Sequence, residues 1–254
     1  MKILSSVYWH VGLHNNTNPN SVLLKLAEKK RENLVFALVC DGAVTKEYGL
    51  TRTEAVSDAG EIASGYVVEE MAKWFELHYL YILLKKKSVR WIKRKIMSEL
   101  SRIKADLDCY GEKKGINIDI SFVLFVSMSK RYAIIHFGET EAYRFGRFAG
   151  CRRVMGFEGG FGEGERERAE GRRGGKDNDR PSQSIKWKTG KTKRGQGFLL
   201  CSSDYLLGLS KQKMKEVLKP SELRSEQQIR KRLSGIADYN KSFGESAAVY
   251  IKFY

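Results

Sequence analysis

Apolar residues come in short continuous runs at several places along the chain, and each run predicts a strand. The clearest run is Leu34–Val39, which continues into Cys40 and then meets Asp41 and Gly42. A run of that length is typical of a strand buried on both faces, although Asp-Gly is also an ordinary turn dipeptide. We therefore expect the strand to end at Asp41, where side chains and backbone carbonyls become free to bind a ligand.

Further strands are predicted wherever apolar and polar residues alternate or where apolar runs recur. They are expected at 2–11, 21–27, 120–126, 132–137, 142–145, 198–204 and 247–253. Short polar turns separate 21–27 from 34–40 and 120–126 from 132–137, so each pair is predicted to form a hairpin. The stretch 41–54 has no regular pattern and is expected to be an irregular loop.

The hydrophobic period becomes helical from about residue 55. The first predicted helix runs to about Leu84, and its apolar face is formed by Val67, Met71, Trp74, Phe75 and His78. The second has the stripe Ile92, Ile96, Leu100, Ile103 and Leu107. Two later helices are expected at 205–219 and 222–239. Because strands and helices are grouped and do not alternate, the pattern indicates an α+β domain.

Composition changes sharply between residues 158 and 197. These positions hold ten glycines and eleven Lys or Arg residues but only four apolar side chains. A segment of this kind buries too little apolar surface to offset its chain entropy, so we expect a disordered insertion in a single domain spanning 1–254. Its interspersed acidic residues favour a solvated loop over a dedicated RNA-binding tract.

The net charge of +16 favours acidic partners such as nucleic acid, an anionic membrane surface or an acidic protein. Nine Lys or Arg residues lie between 85 and 104 against the single acidic residue Glu99. The simplest interpretation of this bias is the solvated outer face of the second helix. The longest uncharged apolar candidate, Leu77–Leu84, is far too short to span a bilayer.

The sequence lacks a recognisable export signal, and its cysteines are spaced as in reduced proteins, so we expect a cytoplasmic protein. The N-terminal residues lack the layout of a signal peptide. The four cysteines are widely spaced without a CxxC pair, so reduced thiols are expected and a structural zinc site is not.

Several short blocks resemble, in order, those of one enzyme family. They are Asn18-Pro-Asn-Ser-Val-Leu-Leu-Lys25 (N-x-D-S/A-x), Val39-Cys-Asp-Gly42 (V-x-D-G), Ala59-Gly-Glu-Ile-Ala-Ser64 (A-G-x-x-A-S), His136-Phe-Gly-Glu-Thr-Glu-Ala-Tyr-Arg144 (G-D-S-R-x-Y-R), Leu200-Cys-Ser-Ser-Asp204 (C-S-D-G) and the terminal strand from Gly244 to Phe253 (D-N-x-T-x-I-V-V). The family is the PPM-type, or protein phosphatase 2C-type, metal-dependent serine/threonine phosphatases in their bacterial form. The resemblance covers nearly the whole chain.

The resemblance implies a four-layer α-β-β-α sandwich of two antiparallel sheets flanked by helical pairs. It also implies a cluster of aspartates at one edge, which holds two Mg²⁺ or Mn²⁺ ions and a bridging water that attacks the phosphoester. An arginine in the first loop clamps the phosphate in that family.

The family's ligand positions are only partly kept. Asp41 and the Gly42 carbonyl fall on the bridging metal-ligand positions, and Asp204 falls on the C-S-D-G aspartate although Tyr205 replaces the following glycine. Four positions have changed. Asn20 replaces the aspartate of N-x-D, and Glu139 replaces the third-metal aspartate. Gly244 stands at the terminal aspartate, where Glu245 could substitute after a one-residue shift, and Asn15, beside His14, stands at the arginine. The remaining negative charge therefore predicts at most one Mg²⁺ or Mn²⁺.

Three functional hypotheses remain open. The first is a pseudophosphatase that binds a protein partner, such as a phosphoprotein or a kinase, without hydrolysis. The second is a weak metal-dependent phosphatase with Asp41, Asp204, Glu139 and Glu245 as ligands. The third is a binder of nucleic acid or of an anionic surface that uses the basic residues 85–104 and the insertion.

Overall fold

The computed structural model describes residues 2–10, 18–29, 32–46, 54–147, 150–156, 185–239 and 245–254. The strands are β1 (Ile3–His10), β2 (Asn20–Lys29), β3 (Glu32–Lys46), β4 (Ile116–Met128), β5 (Arg131–Phe137), β6 (Glu141–Phe145), β7 (Cys151–Met155), β8 (Lys186–Lys191), β9 (Gly197–Cys201) and β10 (Ser246–Phe253). The helices within these ranges are α1 (Glu54–Leu84), α2 (Val89–Lys114), α3 (Lys211–Val217) and α4 (Glu226–Tyr239), with a 3-10 turn at Ser203–Leu206.

These strands form two five-stranded antiparallel sheets. The first sheet has the order β1-β10-β9-β6-β7, and the second has the order β2-β3-β4-β5-β8. The predicted hairpins β2–β3 and β4–β5 are both present. The grouping of strands and helices confirms the α+β prediction.

The helices cover the outer faces of the sheets, and this arrangement creates three apolar layers. The stripes of α1 and α2 pack on the second sheet, while α3 and α4 pack on the first. A third cluster, which includes Phe125, Phe198 and Phe253, fills the space between the sheets. The architecture is the predicted four-layer α-β-β-α sandwich, with core side chains alternating between the two faces of each strand.

Strand β3 differs from the prediction because it does not end at Asp41. It continues to Lys46 and remains paired with β4 throughout, so Asp41 lies opposite Ser121 in an unbroken ladder. The pairing with β2 ends here, since Asn20 opposite Asp41 is the last pair on that side. The prediction of an irregular loop over 41–54 is therefore wrong for residues 41–46, where ladder hydrogen bonds outweigh the turn preference of Asp-Gly.

The predicted disorder over 158–197 is also wrong at its C-terminal end. Strand β8 pairs with the edge strand β5, with Trp187 opposite Ile135 and Gly190 opposite Tyr132. Backbone pairing to an open edge needs few apolar side chains, which explains why composition did not reveal this strand. Strand β7 was not predicted either, and the predicted helix 205–219 is a 3-10 turn followed by the shorter α3. Residues 157–184 lie outside the described ranges.

The four cysteines are free thiols, as predicted, and Cys40, Cys151 and Cys201 are buried. Across the ranges that the structure describes, no helix has the length and apolar content needed to cross a membrane.

Candidate functional site

The alternation of side chains along β3 places Asp41 between the two sheets. Val35, Ala37 and Val39 belong to the layer between the sheets, whereas Phe36 and Leu38 face the helices. With a period of two residues, Asp41 shares the inner face with Val39. The carboxylate is therefore half-buried at the edge of the space between the sheets.

Asn20 lies beside Asp41 on the neighbouring strand and shares that inner face. The residue is 3% exposed, and its amide Nδ2 lies 3.4 Å from the Glu245 carbonyl oxygen. The amide oxygen Oδ1 is buried without a hydrogen-bond partner in the described structure. Buried polar atoms are normally paired, so this oxygen next to a carboxylate is an acceptor that still needs a donor or a cation.

The backbone at Gly42 is held by two close neighbours. Its N–H donates to the Pro19 carbonyl at 3.0 Å, and Pro19 has no N–H with which to donate back to the Gly42 carbonyl. A Cβ on Gly42 would lie 2.0 Å from the Gly60 oxygen, and one on Gly60 would lie 2.6 Å from the Gly42 oxygen. Gly60 of the Ala-Gly block in α1 is therefore explained by its close contact with Gly42, which leaves no room for a side chain at either position.

The turn that carries Glu139 is anchored to the same place. Gly138 has φ +78, and a Cβ there would lie 2.1 Å from Ser121 Oγ. The Glu139 N–H donates to that hydroxyl at 3.0 Å, and the buried His136 ring bonds the Thr140 carbonyl at 2.7 Å. Because Ser121 is opposite Asp41, it links the turn to the site. The sequence placed Ser121 only within the predicted strand 120–126 and did not indicate this role.

The first sheet contributes the remaining two acidic residues. Asp204 follows β9 in the 3-10 turn, and Glu245 immediately precedes β10. Ser202 joins the two strand ends, since its hydroxyl accepts from the Ala247 N–H at 3.1 Å and its N–H donates to the Ala247 carbonyl at 3.0 Å. Adjacent strands of one sheet thus bring two residues that are far apart in sequence to the edge occupied by Asp41.

The electrostatics of Asp41 show that these acidic residues act on one another. Burial, followed by the charges of Asp204, Glu139 and Glu245, raises the pKa of Asp41 from 3.8 to about 7. A carboxylate surrounded by like charges is destabilised in its ionised form unless a cation is present. Burial likewise lowers the pKa of His136, which favours its neutral ring.

The donor set fits a hard divalent cation only in part. Asp41, the Asn20 amide oxygen and the Gly42 carbonyl offer the oxygen ligands that Mg²⁺ and Mn²⁺ prefer. In the described residues, however, no three His, Cys, Asp or Glu side chains are arranged closely enough to hold a metal ion. Asn15, His14 and Gly244 lie outside the described ranges, so their predicted roles stay predictions.

Comparison with known proteins supports the fold. No protein-family model matches the chain, and no curated protein sequence matches it. Among solved structures, the S. agalactiae serine/threonine phosphatase is similar with a TM-score of 0.70 at 12% identity, covering 100% of both chains. PppA, a key regulatory component of T6SS in Pseudomonas aeruginosa, has a TM-score of 0.69 at 13% identity, with 100% of this chain and 99% of that chain covered.

A third structure bears on the metals. The catalytic domain of the serine/threonine protein phosphatase PstP in complex with two manganese ions has a TM-score of 0.64 at 14% identity, covering 98% of this chain and 97% of that chain. The chain described here therefore has the fold of the PPM-type serine/threonine phosphatases, as the sequence blocks predicted. At these identities the likeness establishes the fold alone.

Proposed function

We propose that this chain is a pseudophosphatase: a phosphatase-fold protein of phospho-signalling that acts by binding a protein partner, such as a phosphoprotein or a kinase. The observation that carries the proposal is that Asn20, a neutral residue, is paired with Asp41 on the neighbouring strand. A neutral amide stands next to Asp41 where the resemblance places an aspartate, so the edge lacks one of the negative charges that two adjacent dications need. The predicted cytoplasmic location would suit such a role.

One Mg²⁺ or Mn²⁺ remains compatible with the site. Asp41, the Asn20 amide oxygen and the Gly42 carbonyl would hold it, with Asp204 as a fourth ligand and Glu139 and Glu245 as weaker candidates. A bound cation of this kind supplies charge to polarise a phosphoryl oxygen or to acidify water. Such a cation would also relieve the repulsion that Asp204, Glu139 and Glu245 exert on ionised Asp41.

A regulatory role is also stated for one of the similar structures. PppA is a regulatory component of a larger system. Fold does not specify catalysis, so a sandwich of this kind is compatible with a regulatory role.

The second candidate function is a weak metal-dependent phosphatase. It is favoured by one observation, namely that Asp204, Glu139 and Glu245 all act on the ionisation of Asp41. For this candidate the longer side chains of Glu139 and Glu245 would have to move inward to replace two aspartates as ligands, because the carboxylates do not form a metal cluster in the described residues. The two candidates differ in turnover and in how an added aspartate changes it.

The test is a pair of substitutions at the Asn20–Asp41 pair. We would measure Mn²⁺ binding by calorimetry and release of phosphate from a phosphoserine peptide for the native protein, Asn20→Asp and Asp41→Asn. For the pseudophosphatase we expect weak binding of about one Mn²⁺ and no turnover, with Asn20→Asp tightening binding roughly tenfold by adding one charged ligand.

Metal-dependent turnover by the native protein that Asp41→Asn abolishes would overturn the pseudophosphatase in favour of the weak enzyme. Asp108→Asn is the matched control, because Asp108 is exposed on α2 and pairs with Lys104 in the outer helical layer. It should leave both Mn²⁺ binding and turnover unchanged.

A further inference from the structure

Helix α1 carries a second apolar stripe that does not contact the core. Four side chains of this stripe are exposed: Leu77, Leu80, Tyr81 and Leu84. The exposed fraction is 78% for Leu77 and 52% for Leu84. Their spacing of i, i+3, i+4 and i+7 places them on one side of the helix. The buried residues of the same segment, which include Phe75 and Ile82, lie on the other side. An exposed stripe of this size indicates an interaction surface.

Basic residues border this stripe at the tip of the α1–α2 hairpin. Lys85, Lys86 and Arg90 are exposed in the connection and at the start of α2, and Arg94 and Lys95 extend the charge along α2. Trp91 joins the two helices, because its ring centroid lies 5.9 Å from that of Tyr81. Lys87 contacts both rings, with its Nζ 4.9 Å and 5.2 Å from their centroids.

The basic residues at the tip differ from those further along α2 in their ion pairs with described residues. Further along α2, Arg102 pairs with Glu70, Glu99 and Asp106, and Lys104 pairs with Asp108. Within the described ranges, no ion pair involves the basic residues between 85 and 95. The two halves of α2 therefore differ: one forms ion pairs at a solvated surface, and the other presents positive charge that is not paired with any acidic residue of the described ranges.

Strand β8 contacts α2 close to these basic residues. Trp187 is half exposed, and Lys93 Nζ lies 3.3 Å from its ring centroid. Lys188 is exposed on this strand as well. Exposed aromatic rings beside lysines occur where one end of a side chain meets an apolar phase and the other meets water.

We propose that the α1–α2 tip docks on the surface of an anionic lipid bilayer, with the leucine stripe inserted below the headgroups and the basic residues on the phosphates. A lipid surface is favoured because exposed leucines and basic residues occur together at this tip. Aliphatic side chains gain from an acyl phase, whereas single-stranded nucleic acid would be bound by aromatic stacking with no use for three leucines. This function goes beyond the partner binding proposed above.

A second copy of the chain is a poorer occupant of the same face. A two-fold contact through the leucine stripe would place each cluster of basic residues against its symmetry mate. Like charges at such a contact oppose association, while an anionic bilayer attracts them.

The test is flotation with vesicles of phosphatidylcholine alone or mixed with phosphatidylglycerol, using the full chain. We expect binding to the mixed vesicles only, and we expect it to weaken with salt. Arg90→Glu with Arg94→Glu should lower the affinity at least about 25-fold, at roughly fivefold for each basic residue. Leu77→Ser with Leu84→Ser should lower it about tenfold for each leucine.

Matched controls distinguish binding by this face from nonspecific electrostatic or hydrophobic binding by other parts of the surface. Lys211→Glu with Lys213→Glu changes two exposed lysines on α3, and Leu26→Ser with Ile62→Ser removes two exposed aliphatic side chains elsewhere. Both controls should retain binding, and thermal unfolding should show that every variant is folded.

Three results would overturn the proposal. The first is no binding to mixed vesicles, or equal binding to phosphatidylcholine alone. The second is binding to single-stranded oligothymidylate that needs Arg90 and Arg94 but neither leucine, which would assign the face to nucleic acid. The third is a dimer in sedimentation experiments that Leu77→Ser with Leu84→Ser dissolves while vesicles are not bound.

Discussion

Asp41→Asn should stabilise the metal-free protein at neutral and alkaline pH. Burial of Asp41, together with the charges of neighbouring carboxylates, raises its pKa from 3.8 to about 7 in the folded state. At 1.36 kcal/mol for each pH unit, a shift of that size corresponds to about 4 kcal/mol. Because the side chain is only half-buried, water screens part of the cost, and we expect a gain of about 2–4 kcal/mol in the free energy of unfolding.

The sign of the effect follows from proton linkage. Since the folded state binds the Asp41 proton more tightly than the unfolded state, native stability falls as pH rises from about 4 to about 7. The asparagine side chain of the variant has no such proton to lose, so the variant escapes this decline. The difference between variant and native protein should therefore be near zero at pH 4, grow through pH 7 and stay constant above it.

Urea unfolding in EDTA across this pH range measures the difference directly. At pH 8 the midpoint of thermal unfolding should rise by about 5–15 °C for a chain of this length. Asp108→Asn, at an exposed ion pair, is the control and should change stability by less than about 1 kcal/mol in the destabilising direction. A variant that is destabilised, or a difference that does not depend on pH, would refute the argument that burial and neighbouring charges destabilise ionised Asp41.

Two further predictions concern the scaffold of the site. Gly60→Ala should destabilise the protein by about 3 kcal/mol or more, since its Cβ would lie 2.6 Å from the Gly42 oxygen. Gly65→Ala, in the same helix with nothing within 4 Å, should be neutral or stabilising by up to about 1 kcal/mol in urea unfolding; equal effects would contradict the packing argument. Glu141→Gln should cost about 1–3 kcal/mol, because the 2% exposed carboxylate accepts from Tyr143 at 2.6 Å and pairs with Arg153 at 3.2 Å. Glu222→Gln, at an exposed pair with Lys219, should cost less than about 1 kcal/mol, and a similar loss in both would argue against the role of burial.

Local pattern was sufficient for the long elements of this protein. The apolar run before Asp41 and the stripes of α1 and α2 are strong periodic signals, and the structure confirms them as a buried strand and two packed helices. The signal was weakest where backbone pairing decides the outcome. Strand β8 is stabilised by an open sheet edge that its own polar sequence does not reveal.

The candidate site shows the same division. Residue types and motif order were enough to select Asp41, Gly42 and Asp204 as candidates, because the short blocks that contain them are local features of the sequence. The partners of Asp41 are not local. Asn20 and Ser121 reach it through strand register, and their side chains share its face only because β2, β3 and β4 pair as they do.

Two features of the protein depend entirely on its three-dimensional packing. The long strands, the helices and the positive charge of residues 85–104 follow from period and composition, so the chain's own residues specify them. The ionisation of Asp41 depends on charges brought from the other sheet, and the exposed leucine stripe is visible only once the opposite face of α1 is seen to be packed. Burial and electrostatic coupling are properties of neighbours in space, and sheet pairing selects those neighbours over distances that no local window covers.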